Sequence, residues 1–85
     1  MSELLDFPCQ FPIKAFGVGT PDFERLVVEL VDEHIGPQQR ESVRTNPSRG
    51  GRYMAVTVTI TAHSQEQLDN IYRSLSAEER VIMAL

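Results

Sequence analysis

The sequence is poor in the residues that most chemistry needs. It has a single cysteine, Cys9, in 85 residues, so no internal disulfide can form and a reducing compartment suits it best. Cys9 also has no adjacent base and no Cys-x-x-Cys partner, which argues against a nucleophilic or redox role. Histidines number two, His34 and His63, and neither has a neighbouring Cys or His from which a metal site could be assembled. Serine and threonine are plentiful, yet no pattern sets out a Ser-His-acid arrangement, and the Gly-x4-Gly-Lys-Ser/Thr spacing of a phosphate loop is absent. Positive charge is scarce: eight Lys and Arg against twelve Asp and Glu give a net charge of −4. General binding to nucleic acid or to a membrane surface needs the opposite balance, so neither is expected. No basic, apolar leader pattern opens the chain, and no apolar run reaches membrane-spanning length. The expectation is a cytoplasmic chain that is not an enzyme, with no catalytic residue, no cofactor and no metal.

What is present is an ordinary globular composition, with 41% hydrophobic and 24% charged residues. The length suits one domain over residues 1–85, with residues 1–10 as an N-terminal arm. Pro8 stops a helix there, and the arm has two readings: Leu5 and Phe7 tucked against the domain, or a frayed terminus. A domain of this size buries about 60–65% of its unfolded surface, so its stability margin is thin and pairing as a homodimer is compatible with it. Charge is uneven. Residues 38–53 hold Arg40, Arg44, Arg49 and Arg52 against Glu41 alone, a local +3, so the remainder carries −7.

The dominant signal is Arg52 to Ala62. From Met54 it alternates, with Met54, Val56, Val58, Ile60 and Ala62 on one side and Tyr53, Ala55, Thr57, Thr59 and Thr61 on the other. Period-two alternation of β-branched residues predicts a strand with one buried face. Upstream, Phe11 to Gly19 predicts a first strand, with Phe11, Ile13, Ala15 and Gly17 alternating with Pro12, Lys14, Phe16 and Val18. Thr20-Pro21-Asp22 predicts a helix start with Thr20 as N-cap and Pro21 as first helical residue. The stripe Phe23, Leu26, Val27, Leu30, Val31 follows at helical spacing, and Gly36-Pro37 predicts its end. Gln39 to Thr45 reads as a polar, Arg-rich second strand, and Asn46 to Gly51 as the turn of a hairpin. Ser64 with Gln67 forms a capping box ahead of a second helix marked by Leu68, Ile71, Tyr72 and Leu75. Arg80 to Leu85 predicts a final strand with Val81, Met83 and Leu85 on one face.

The order β-α-β-β-α-β is that of the ferredoxin-like α+β sandwich, with two helices on one face of a four-stranded antiparallel sheet. The usual strand order, 4-1-3-2, puts the two most apolar strands in the middle and the Arg-rich strand at an edge, where charge discourages unwanted pairing. Leu4-Leu5-Asp6-Phe7-Pro8, Phe11 with Lys14 and Gly17, Gly51 and Tyr53 with Val56 to Ala62, Ile71-Tyr72 with Leu75, and Val81 with Met83 to Leu85 make the chain resemble the YbeD-like family. These are small bacterial cytosolic proteins of unassigned function. The resemblance covers nearly the whole chain. It implies a ferredoxin-like fold similar to ACT regulatory domains, which bind small ligands and often pair sheet to sheet or edge to edge, and it brings no catalytic residue with it.

Two loops and one surface are candidate sites. Ser48-Arg49-Gly50-Gly51-Arg52, followed by Tyr53, offers turn amides and guanidinium forks that match carboxylate or phosphate oxygens. The other reading of that loop is a solvated hairpin tip. Gly17, Gly19 and Thr20 join the first strand to the first helix, where plain turn-and-cap duty competes with anion binding opposed by Asp22 and Glu24. The open sheet face, with its threonines and with Phe16 and Tyr53, suits a partner or solvent. It lacks the aromatic-rich segments of an RNA-binding sheet. The expectation from these residues is a non-enzymatic regulatory or interaction module. It would recognise a protein partner or small acidic ligand through Arg40, Arg44, Arg49, Arg52 and the open face. The alternative is a small-metabolite-sensing, ACT-like homodimer using Gly17 to Asp22.

Overall fold

A computed structural model describes residues 6–36 and 38–85. The elements are β1 (Cys9–Val18), α1 (Phe23–Asp32), β2 (Arg40–Pro47), β3 (Tyr53–Ala62), α2 (Gln65–Ala77) and β4 (Val81–Ala84). The four strands form one sheet in the order β2-β3-β1-β4, each neighbour antiparallel. This is the ferredoxin-like arrangement that the alternation and the helical stripes predict.

The alternation of β3 decides where the core lies. Val56, Val58, Ile60 and Ala62 are fully buried, and across the β1 ladder they adjoin Ile13 and Ala15, also fully buried. Phe23, Val27 and Val31 of α1 and Leu68, Ile71 and Leu75 of α2 close over that face. Each such side chain contributes about 1.5–3 kcal/mol relative to leaving it in water. Phe7 packs against this cluster, so the part of the arm that is described lies along the domain; Leu5 lies outside the described residues.

Several local expectations are corrected. β1 begins at Cys9, and β2 runs through Asn46 and Pro47, which the sequence pattern places in the turn. Thr20 does not cap α1. The Phe23 amide bonds to the Thr20 carbonyl in a turn that precedes the helix, and the Thr20 hydroxyl is engaged by Asp22 and Arg80. Helix α1 stops before Gly36, which is not in the left-handed region. The His34 and Ile35 amides bond back three residues, to Val31 and Asp32, and this tightened turn occupies end carbonyls without a glycine cap. The Gly36 amide instead donates to Gln39 Oε1 at 2.9 Å. Pro37 lies outside the described residues.

The Ser64 cap is present, accepting from the Gln67 amide at 3.0 Å. The Gln67 side chain, however, accepts from the His63 amide (2.7 Å) and donates to the His34 carbonyl (3.0 Å), so it stitches α2 to the end of α1. The expected common face of Val81, Met83 and Leu85 is broken by a bulge. Ala15 pairs with Ala84, Phe16 with Met83, and Gly17 with Val81. One extra residue in β4 puts Val81 and Ala84 on the core side and Met83 and Leu85 on the open side.

Candidate functional site

The two candidate loops meet at one end of the sheet. The Gly19 amide donates to the Arg52 carbonyl at 2.8 Å, joining the β1–α1 loop to the hairpin. A methyl on Gly19 would stand 2.9 Å from the Gly51 carbonyl oxygen, so the contact needs a bare backbone. The hairpin itself is a tight turn. Ser48 donates its amide to Tyr53 O (2.7 Å), Gly51 donates to Ser48 O (2.8 Å), and the Tyr53 amide donates to Ser48 Oγ (3.0 Å). Gly50 and Gly51 hold φ of 83° and 74°, the left-handed region that glycine enters without strain. These bonds use the Ser48, Gly51 and Tyr53 amides inside the turn, and Arg49 and Arg52 add two exposed guanidinium groups to it.

The arginine group expected from the sequence is only partly assembled. Arg44 pairs with Thr57 on the open face, between Val43 and Thr45, whose partners Val58 and Val56 face the core. Arg40 lies at the other end of β2, an eight-residue strand of about 26 Å at ~3.3 Å per residue. A register shift between Arg40 and Ser42 turns Arg40 to the helix side, where it approaches Asp32 at 3.6 Å. Arg40 therefore belongs to the α1 contact and not to the hairpin. Among the described residues, Arg44, Arg49 and Arg52 have no carboxylate at ion-pair distance.

The first loop is filled rather than open. Gly17 has the Phe23 ring and the Arg80 carbonyl where a side chain would be, and the Thr20 amide is bonded to Val18 O (2.8 Å). Beside it lies a cluster that local spacing does not reveal. Arg80 donates to both carboxylate oxygens of Asp22, at 2.7 and 3.2 Å, and to Thr20 Oγ1 at 2.6 Å, while the Thr20 hydroxyl donates to Asp22 at 3.0 Å. The Arg80 hydrogen bonds hold the Asp22 carboxyl down at about 2, and the same pairing raises the Arg80 guanidinium. A shallow cleft of about 200 Å³ follows, lined by Asp22, Arg25, Leu26, Glu29 and Arg80. Residues 58 apart meet here, so no motif announces them.

His34 Nε2 lies 2.7 Å from Ser74 Oγ, a second contact that the linear pattern does not show. It ties the turn after α1 to α2. Among the described residues no group of three or more His, Cys, Asp or Glu is placed to hold a metal ion, and no helix is long and apolar enough to cross a membrane.

The open face carries the expected aromatic pair on adjacent strands. Tyr53 pairs with Val18, and Phe16 sits between Ala55 and Met83. The next row across the sheet reads Arg44, Thr57, Lys14, Leu85, and the Thr61 hydroxyl beyond it donates to Glu41.

A four-stranded antiparallel sheet backed by two helices and bare on its other face defines a small ferredoxin-like domain. Solved structures share it. Protein HP0495 from H. pylori matches with a TM-score of 0.73 at 16% identity, over 99% of this chain and 88% of that one. The C-terminal domain of the MgtC protein from Mycobacterium tuberculosis matches at 0.64 and 19% identity, over 96% and 89%. At these identities the likeness is one of fold. The chain belongs to the family described as protein of unknown function DUF493, which matches residues 2–85, and is YbeD-like. A UPF0250 protein of Paraburkholderia phymatum is 44% identical over 83 residues, covering 98% of this chain and 93% of that protein. One from Neisseria gonorrhoeae is 43% identical over 84 residues, covering 99% and 92%.

Proposed function

We propose that the chain is a cytoplasmic, non-enzymatic interaction module, ACT-like in shape, that recognises an acidic ligand or protein partner. Recognition uses Arg49 and Arg52 of the hairpin together with Arg44 and the open sheet face. The observation that carries this reading is the hairpin's construction. A turn tied down by its own hydrogen bonds and by Gly19 presents two exposed guanidinium groups, on a chain of net charge −4. Guanidinium forks on a pre-ordered turn lose little freedom when they engage carboxylate or phosphate oxygens. The test is affinity capture from a native lysate at low and high salt, with wild type beside Arg49→Ala/Arg52→Ala. The reading requires partners or acidic ligands lost from the variant and at high salt; an unchanged set refutes it.

A second reading rests on the cleft at Asp22, Arg25, Glu29 and Arg80, whose mixed charges suit a zwitterionic metabolite sensed by a homodimer. A thermal-shift screen separates the two, because a ligand at about 100 times its Kd adds about 2.7 kcal/mol of stability. The filled Gly17 and the bonded Gly19 and Thr20 amides leave that loop few groups to offer, which favours the first reading.

A further inference from the structure

We infer that the open sheet face seats an amphipathic helix with acidic flanks supplied by a different protein; the inference rests on the interaction-module reading and names the chemistry of its partner. The face has an apolar strip. Val18, Tyr53, Met83 and Leu85 are 51%, 43%, 51% and 62% exposed, and Phe16 lies among them between Ala55 and Met83. Four large apolar groups exposed together on one small sheet form a patch rather than scattered surface residues. Met83 and Leu85 reach it only because the β4 bulge turns them outward.

Cations bracket the strip. On one side Lys14 and Arg44 flank Thr57 in a single row, about 10 Å apart across two strand spacings. On the other side, the chain before Tyr53 is the hairpin loop that carries Arg49 and Arg52. The acid placed on this face among the described residues, Glu41, lies at the far end and accepts from Thr61. The face is thus a positive, apolar island on a protein whose remaining residues are strongly acidic, and it complements a surface that is apolar in the middle and acidic at its edges.

The same charges disfavour a second copy as the occupant. In a two-fold face-to-face pair each copy brings the same patch, so Lys14 and Arg44 of both would be desolvated with Glu41 as the acid available. The chain's own acids on α1, such as Glu24 and Glu29, lie on the opposite side of the sheet. Using them would make a head-to-tail contact that need not close. A helix fits the dimensions. From Lys14 to Val18 is about 13 Å along the strand at ~3.3 Å per residue, which is roughly two and a half helical turns at ~5.4 Å pitch. Apolar anchors at i, i+3 or i+4, and i+7 cover that length. The core side of the sheet is covered in the same way, by the apolar stripes of α1 and α2.

The probe is a synthetic peptide of about 18 residues, long enough to become helical when bound. It carries one leucine face with glutamate flanks. Its controls are the same peptide with lysine flanks and a scrambled peptide of equal composition. Binding to the full chain is followed by fluorescence anisotropy and by amide chemical shifts. The expected result is binding of the glutamate-flanked peptide alone, with shifts at Phe16, Tyr53, Thr57 and Met83. That affinity should fall about tenfold or more on raising salt and in Lys14→Glu/Arg44→Glu, whose positions are exposed. Shifts on α1 and α2, equal binding of the lysine-flanked peptide, or no binding by any of the three overturns the inference. So does a dimer in sedimentation that Met83→Asp dissociates, or binding to anionic phosphatidylglycerol vesicles with the peptides inert. If all peptides fail while lysate capture still depends on Arg49, Arg52 and salt, the interaction module stands and only its helical partner is lost.

Discussion

Replacing Gly17 with alanine tests how β1, α1 and β4 are fitted together. The added methyl would sit 2.4 Å from Cε1 and Cζ of Phe23 and 2.6 Å from the Arg80 carbonyl oxygen. Carbon atoms rest at ~3.5–4.0 Å, so more than ~1 Å must be found on the ring side. Phe23 is fully buried, and the other obstacle is backbone at the entry to β4. Overpacking of a dense core typically costs about 1–3 kcal/mol, and with two unyielding neighbours the upper end, about 3 kcal/mol, applies here. For a domain of this size each kcal/mol moves Tm by about 4–8 °C, so a fall of roughly 12–24 °C is expected. Gly17 is not in the left-handed region, so sterics and not backbone preference set the effect. Urea unfolding followed by far-ultraviolet circular dichroism measures it, with an unchanged m-value showing that the denatured state is not the cause. Gly36→Ala is the internal control. Its new methyl would find Gln39 at 3.7 Å, ordinary contact, and its stability should change by less than about 1 kcal/mol. Combining Gly17→Ala with Phe23→Leu should lose less than the sum of the two single losses, because the smaller side chain relieves the ring contact. A Gly17→Ala midpoint equal to wild type would refute the reasoning.

Other parts of the fold give equally direct tests. In a carboxyl NMR titration Asp22 should titrate at about 2 rather than the ordinary 3.8, because Arg80 donates to its ionised form. Its folded value is depressed, so the stabilisation is present above 3.8 and is lost as pH falls through about 2. Arg80→Ala should return the midpoint toward 3.8, and a wild-type midpoint already there counts against the pairing. Ser64→Ala removes the acceptor of the Gln67 amide at the start of α2 and should cost about 1 kcal/mol in chemical denaturation; no loss would mean the cap is idle. Tyr72→Phe deletes the hydrogen bond from the phenol to the Leu85 carbonyl at 2.7 Å. It should cost about 0.5–1.5 kcal/mol and speed amide exchange at Leu85, whereas unchanged exchange would show that Tyr72 does not hold the end of β4 in place.

Most of the layer structure is legible in the sequence, and Val56, Val58 and Ile60 show why. In a strand the side-chain period is two, so a run that alternates so cleanly has one face that must be buried, whatever covers it. Phe23, Val27 and Val31, and Leu68, Ile71 and Leu75, state the same demand at helical period, and two stripes with one apolar sheet face have few ways to combine. The hairpin was legible as a turn because Gly50 and Gly51 supply a backbone geometry that other residues resist. The candidate site was less so. Arg40, Arg44, Arg49 and Arg52 are close in sequence, yet a strand carries residues apart, and the register shift at Glu41 sends Arg40 to Asp32 while Arg44 faces outward.

Sequence alone therefore settled the order of strands and helices and the face that β3, α1 and α2 each bury, because those choices follow from periodicity within a single element. Tertiary structure decided the rest: the union of the Gly19 and Arg52 loops, the Thr20–Asp22–Arg80 cluster, the packing of Phe23 over Gly17, and the turning of Met83 onto the open face. Each is a contact between elements far apart in the chain, and each depends on register and bulge positions that only the packed sheet fixes.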